Sequence, residues 1–267
     1  MDAVRQFLRV IFYLLMVGLL LLVGAVVGTI AADAVFGPRA TDVSNVSYSG
    51  ADGTELVAYL NIPPNAEILP AVILLPNHWG LNSQTIRLAN LLSEAGYVVI
   101  APDLFRGASS GVLTRALLLS GTTAEAQVMQ DVQSAYDYLT GLDVVQADSV
   151  GILGLGYGGG MAVRFAAEQP GIGATVAAYG DVPTRPDLLA ELNGPVLGVF
   201  GELDLFVTPD QAERFKAALE TADMPHEVVI YDALGHDFLT FPQITVEGAL
   251  AGQVWQRVVR FFDQNLS

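Results

Sequence analysis

The chain has no cysteine, which excludes disulfides, thiolate metal sites and a cysteine nucleophile by inventory. Lysine is nearly absent as well, with Lys216 standing alone. Basic residues number 12 against 28 acidic ones, a formal net charge of −16. That balance argues against a nucleic-acid partner and against electrostatic docking on anionic lipid. Charged residues make up only 15% of the sequence and hydrophobic ones 52%, so a large core is available and disorder over most of the 267 residues is excluded. No internal repeat is present.

What the sequence does have begins with a long apolar run. Residues 11–32 contain no charge and are rich in Leu and Val; as a helix they span about 33 Å, the thickness of a bilayer core. Arg5 and Arg9 precede the run and Asp33 follows it. The positive-inside rule therefore puts residues 1–10 in the cytoplasm and the remainder outside. A cleaved signal peptide is the alternative, because Ala32-Asp33-Ala34 resembles a small-residue cleavage site, but the run is longer than the usual signal core. The expected organisation is a cytoplasmic N-terminus (1–10), a transmembrane anchor (11–32), a short tether (33–43) and a globular domain (44–267).

Within that domain the pattern predicts a β-hairpin around Ala51-Asp52-Gly53, ended by Pro63 and Pro64, and an apolar strand over 71–75. A helix with Ile86, Leu88, Leu91 and Leu92 on one side follows, then a buried strand over 97–101. Residues 103–121 read as irregular, with an apolar patch at 112–119 placed to cover a site mouth. Thr122 and Glu125 have the spacing of a capping box, and Thr208, Pro209 and Gln211 mark a second helix start. Strands are expected near 174–179, 196–200 and 228–231, with a final amphipathic helix through Val254, Val258 and Phe262. This alternation predicts an α/β fold with a doubly wound, mostly parallel sheet.

Residues 149–162 form the centre of that pattern: a short apolar strand, a glycine-packed turn and a helix start. Gly154-Leu155-Gly156-Tyr157-Gly158 has the frame of the G-x-S-x-G nucleophile elbow, with glycine at the nucleophile position. Gly154, Gly156 and Gly159 also satisfy G-x-G-x-x-G, and the next strand is expected to end at Asp181, near where a ribose-binding acid would lie, so a dinucleotide-binding loop is an alternative. In α/β-hydrolases the nucleophile, the acid and the histidine follow one another past successive strand ends. Here Gly156, Asp204 and His236 occupy those places.

At these residues the sequence resembles the dienelactone hydrolases, over roughly residues 45–265. The likeness rests on Trp79-Gly80-Leu81-Asn82, on Gly96-Tyr97 with Ala101-Pro102-Asp103-Leu104, on the elbow, on Gly201 with Asp204, Phe206 and Val207, and on Tyr231 with His236 and Phe238. It implies an α/β-hydrolase fold and hydrolysis of a small-molecule ester or lactone with a Cys or Ser nucleophile, Asp204 orienting a His236 base; no cofactor or metal is expected. Two positions depart from the family pattern: Gly156 at the elbow, and Asn77 where an acidic residue often precedes the aromatic-glycine pair.

Glycine tolerates the strained backbone of such a turn, so the fold should survive while the attacking atom is lost. Three possibilities remain open at this level. His236 activates a water in the vacated space, with the N–H of Tyr157 and one from the His78-Trp79 loop as oxyanion donors. The pocket binds a ligand without turnover. Another side chain, Tyr157, Ser109 or Ser110, has taken over the attack. Each residue also has a plainer explanation: Asp204 as a loop or capping acid, His236 as a loop cap, His78 as a pocket-wall histidine with no metal-ligand spacing around it, His226 as a surface residue.

Overall fold

A computed structural model describes residues 2–64 and 67–266. It opens with one long helix, α1 (Asp2–Phe36), which extends beyond the uncharged run at both ends. Val4–Phe36 is apolar and long enough to cross a membrane, and its most apolar window is not buried against the rest of the protein. A signal sequence would share those properties.

The segment after the apolar run is not a free tether. α1 continues through Phe36, and the Asp33 carboxylate accepts hydrogen bonds from Ser110 Oγ at 2.6 Å, Gly111 N at 3.2 Å and Arg115 Nη1 at 2.9 Å. A 3₁₀ turn at Ala40–Asp42 follows, with Ala40 fully buried.

Among the described residues eight strands form one sheet: β1 (Val46–Ser49), β2 (Glu55–Asn61), β3 (Leu69–Leu75), β4 (Val98–Pro102), β5 (Val145–Leu155), β6 (Ile172–Ala178), β7 (Val196–Gly201) and β8 (His226–Tyr231). Their spatial order is β1-β2-β4-β3-β5-β6-β7-β8. The β1–β2 hairpin and the β2–β4 pairing are antiparallel, and the other five pairings are parallel. The helices are α2 (Ser83–Glu94), α3 (Leu113–Thr122), α4 (Glu125–Thr140), α5 (Tyr157–Glu168), α6 (Pro186–Leu189), α7 (Pro209–Thr221) and α8 (Leu250–Asn265).

The parallel strands are apolar without alternation because helices cover both faces. Val128 and Val132 of α4, Phe165 of α5 and Phe215 of α7 pack on one face. Leu88 and Leu92 of α2 and Val254, Val258 and Phe262 of α8 pack on the other. Each such side chain contributes about 1.5–3 kcal/mol by leaving water, and truncating the fully buried Phe262 to alanine would cost about 3–5 kcal/mol. Two helix starts follow directly from sequence chemistry. Asn82 caps α2 by accepting from Gln84 N and Thr85 N, and Gln211 Oε1 accepts from Thr208 N at 2.8 Å ahead of Pro209 in α7.

Four local expectations are corrected. Residues 113–122 are a helix rather than irregular chain, and Leu113, Leu117 and Leu118 on it point outward instead of covering a site. Thr122 does not cap α4; it ends α3, its hydroxyl donating to Leu118 O at 2.7 Å, and α4 begins after Ala124 without a side-chain cap. β6 stops at Ala178, short of Asp181. His226 is not a surface residue but the half-buried first residue of β8, its Nδ1 paired with Met224 O at 2.8 Å.

Candidate active site

The carboxyl ends of the parallel strands converge on the turn between β5 and α5. One residue makes that turn, Gly156, with φ +49° and ψ −114°, a conformation strained for any residue with a Cβ. Its N–H is fixed to Ala178 O at 2.9 Å. The neighbouring glycines serve close packing: a Cβ on Gly154 would strike the Gly158 carbonyl, and one on Gly158 would sit 2.5 Å from Leu75 O. α5 thus starts pressed against the ends of β3 and β5.

The space above Gly156 is bounded by three side chains. A Cβ added there would lie 3.3 Å from Asn77 Cβ, 3.7 Å from His236 Nε2 and 3.8 Å from Tyr179 Cδ2. The glycine pattern is accounted for by helix–strand packing at Gly154 and Gly158 and by the positive φ at Gly156.

His236 and Asp204, 32 residues apart, meet at 2.7 Å through Nδ1 and Oδ2. Asp204 is buried, and its Oδ1 accepts from Phe206 N at 2.8 Å and Val207 N at 3.0 Å, so the loop after β7 wraps the carboxylate. An ionised carboxylate at Nδ1 makes that nitrogen the donor and leaves Nε2 as the basic atom, turned toward residue 156. Tyr179 and Phe206 hold the imidazole at ring-centroid distances of 5.3 and 5.0 Å.

The loop after β3 closes the other side. Asn77 donates from Nδ2 to Asp237 Oδ1 at 3.0 Å and accepts from Trp79 N at 3.1 Å, and Trp79 Nε1 donates to Asp237 Oδ2 at 3.3 Å. Of the two amides considered as oxyanion donors in this loop, that of Trp79 is thus engaged, which leaves His78. Tyr157, as the first residue of α5, has an amide with no partner inside the helix. His78 is buried, stacks 6.2 Å from His236, and its Nε2 has no hydrogen-bond partner among the described residues. Burial pushes its pKa below the ordinary 6.5, with the His236 charge adding to the effect and Asp237 opposing it.

The other suggested nucleophiles are occupied elsewhere. Ser109 Oγ donates to Leu81 O at 2.8 Å, and Ser110 Oγ donates to Asp33. The Tyr157 ring packs 5.6 Å from Phe105, and burial raises its phenol further above neutrality. Among the described residues, no group of three or more His, Asp or Glu could hold a metal ion.

A cavity of about 430 Å³ adjoins the turn. Asn77, Tyr179 and Asp237 form part of its wall, together with Leu81, Leu88, Leu155 and Leu239, and its far side is Pro38, Arg39, Asp42 and Val43. Gly156, Asp204 and His236 do not line it, so it lies beside the histidine rather than over it. Two site residues escaped the sequence reading. Tyr179 and Asp237 adopt φ +40° and +55° without being glycine, and no composition rule announces that. Asp237's position beside His236 was the one available hint.

Residues 56–266 match the model of the dienelactone hydrolase family. The chain belongs to that family. It is 29% identical to the "Putative carboxymethylenebutenolidase" of Escherichia coli O157:H7, over 86% of this chain and 94% of that one. It is 30% identical to the "Probable 2-oxo-3-(5-oxofuran-2-ylidene)propanoate lactonase" of a Bradyrhizobium species, over 71% of this chain and 81% of that one. Among solved structures it resembles the "Putative Dienelactone Hydrolase" of Klebsiella pneumoniae with a TM-score of 0.73 and 27% identity, covering 82% of this chain and 100% of that one.

Proposed function

We propose that this protein is a membrane-anchored member of the dienelactone hydrolase family whose pocket takes a small ester or lactone, with Gly156 at the nucleophile position. One observation carries this: the place where a nucleophile's Cβ would stand is 3.7 Å from His236 Nε2, and residue 156 has nothing to put there. A covalent acyl-enzyme at that residue is impossible. Hydrolysis then falls to water. His236 Nε2 takes a proton from a water in the vacated space, the hydroxide adds to the ligand's carbonyl carbon, and the resulting oxyanion faces the amides of Tyr157 and His78. Collapse breaks the C–O bond, and the imidazolium returns its proton to the leaving alkoxide. Asp204 holds the tautomer and stabilises the imidazolium. Without an attacking side chain such a site retains roughly 10³-fold over water.

The related lactonase name favours a lactone among the candidate ligands, and the leucine-rich cavity favours one with an apolar portion. The anchor assignment rests on α1, and Arg5 and Arg9 on its N-terminal side favour a hydrolase-like domain outside the cytoplasmic membrane. The Asp33 contacts support retention of the helix, because cleavage near Ala34 would strip Arg115 and Ser110 of their carboxylate partner. A second reading, ligand binding without turnover, is favoured by the intact cavity beside an elbow without a nucleophile.

The test uses the full-length protein in detergent, with p-nitrophenyl acetate and a small lactone as substrates and a Gly156→Ser variant alongside. Slow hydrolysis that disappears in His236→Ala supports water attack. Saturable lactone binding with no His236-dependent hydrolysis supports the binding role. Inactivation of the wild type by a serine-directed phosphonate would sink the assignment of residue 156, and tight saturable NAD binding would revive the dinucleotide alternative.

A further inference from the structure

We infer that α3 lies in the surface of the bilayer that holds α1, with Leu113, Leu117 and Leu118 in lipid, so that the strand ends carrying the candidate site face the membrane. The inference rests on the anchor reading above and adds the orientation and a second lipid contact.

Depth is set by Asp33. The uncharged run ends at Ala32, so the first charge after it belongs at the headgroup level of a bilayer spanned by residues 11–32. The partners of that carboxylate are Ser110 Oγ, Gly111 N and Arg115 Nη1, all at the N-terminal end of α3. The ion pair is shielded, with side-chain exposures of 7% for Asp33 and 12% for Arg115, and Arg115 Nη1 also donates to Ser109 O. α3 therefore sits at the depth of Asp33 and is held there rather than swinging on a linker.

The face that α3 presents has the chemistry of an interface. Leu113, Leu117 and Leu118 are 43–49% exposed, and with Thr114 and Gly121 they make up one uncharged outward side of the helix. Val35 and Phe36, on the turn of α1 that carries Asp33, are exposed as well. In a chain with a net charge of −16, an uncharged apolar surface next to a membrane helix needs no cation to bind lipid. The anchor supplies the proximity that makes even a weak lipid contact persistent. α3 follows β4, whose carboxyl end lies at the same end of the sheet as the turn at Gly156, and Pro38, Arg39, Asp42 and Val43 of the cavity wall follow α1 directly.

The absence of cysteine makes the test clean. Leu20→Cys, Leu117→Cys and Glu213→Cys variants of the full chain, each carrying one environment-sensitive NBD fluorophore, are inserted in liposomes containing nitroxide lipids. The label at 20 should be quenched by a nitroxide deep in the acyl chains. The label at 117 should be blue-shifted and quenched by a headgroup nitroxide, and that at 213, exposed on α7, should be neither. If 117 behaves like 213 while 20 is quenched, the anchor stands and this inference falls. If 20 is not quenched, both fall. A blue shift at 117 without nitroxide quenching means that protein covers the face, and overturns the lipid assignment.

Discussion

The two sides of the candidate site contrast in what they keep. On one side, the loops after β7 and β8 deliver a bonded pair: a buried carboxylate wrapped by two amides and bonded to an imidazole braced by two rings. On the other, the turn from β5 into α5, with φ +49° at Gly156, presents only backbone. Backbone geometry and side-chain chemistry are thus separable: the first is held by packing of Gly154 and Gly158 against neighbouring carbonyls, the second by a single side chain.

The largest expected effect comes from refilling the empty side. Gly156→Ser should raise ester hydrolysis by about 10²-fold or more and confer sensitivity to a phosphonate, measured by initial rates and by mass spectrometry of the adduct. No gain in a folded variant would mean that the turn is not poised for attack. Next, within that serine background, Asp204→Asn and His236→Ala should each abolish most of the gain, and the double variant should be little worse than either, because the pair acts as a unit. Additive losses would break the comparison on its intact side.

Smaller effects probe the scaffold. Gly156→Ala should cost about 1–3 kcal/mol in denaturant unfolding, from the positive φ and the close approach to Asn77, without any gain in rate. The smallest effect concerns His78. Its pKa is lowered by burial, so the folded state favours the neutral ring while the unfolded chain takes up a proton below pH 6.5. Stability contributed at neutral pH is therefore lost as pH falls from 6.5 through the depressed folded value. A His78→Gln variant should show a flatter dependence of Tm on pH in that window; an unchanged slope would place the proton uptake elsewhere.

Much of this architecture was legible in the sequence, for physical reasons. Uninterrupted apolar strands, the Thr208 helix start and the placement of Asp204 and His236 just past strand ends are local or periodic signals. α3 was not legible, because glycines and serines flank a ten-residue helix that has no side-chain cap. The Asp33 contacts join positions 77 and 82 residues apart, and no local pattern records them. Asn77 was singled out as a departure from a family pattern; its job of tying Trp79 to Asp237 emerges only in three dimensions.

The conformation of residue 156 has an evolutionary corollary. On the function proposed above, the main chain already adopts the shape that a side-chain-bearing residue must be forced into, so that one substitution separates a silent from a reactive site. Lineages carrying this chain would then be free to cross that boundary repeatedly, with no rebuilding of the surrounding loops.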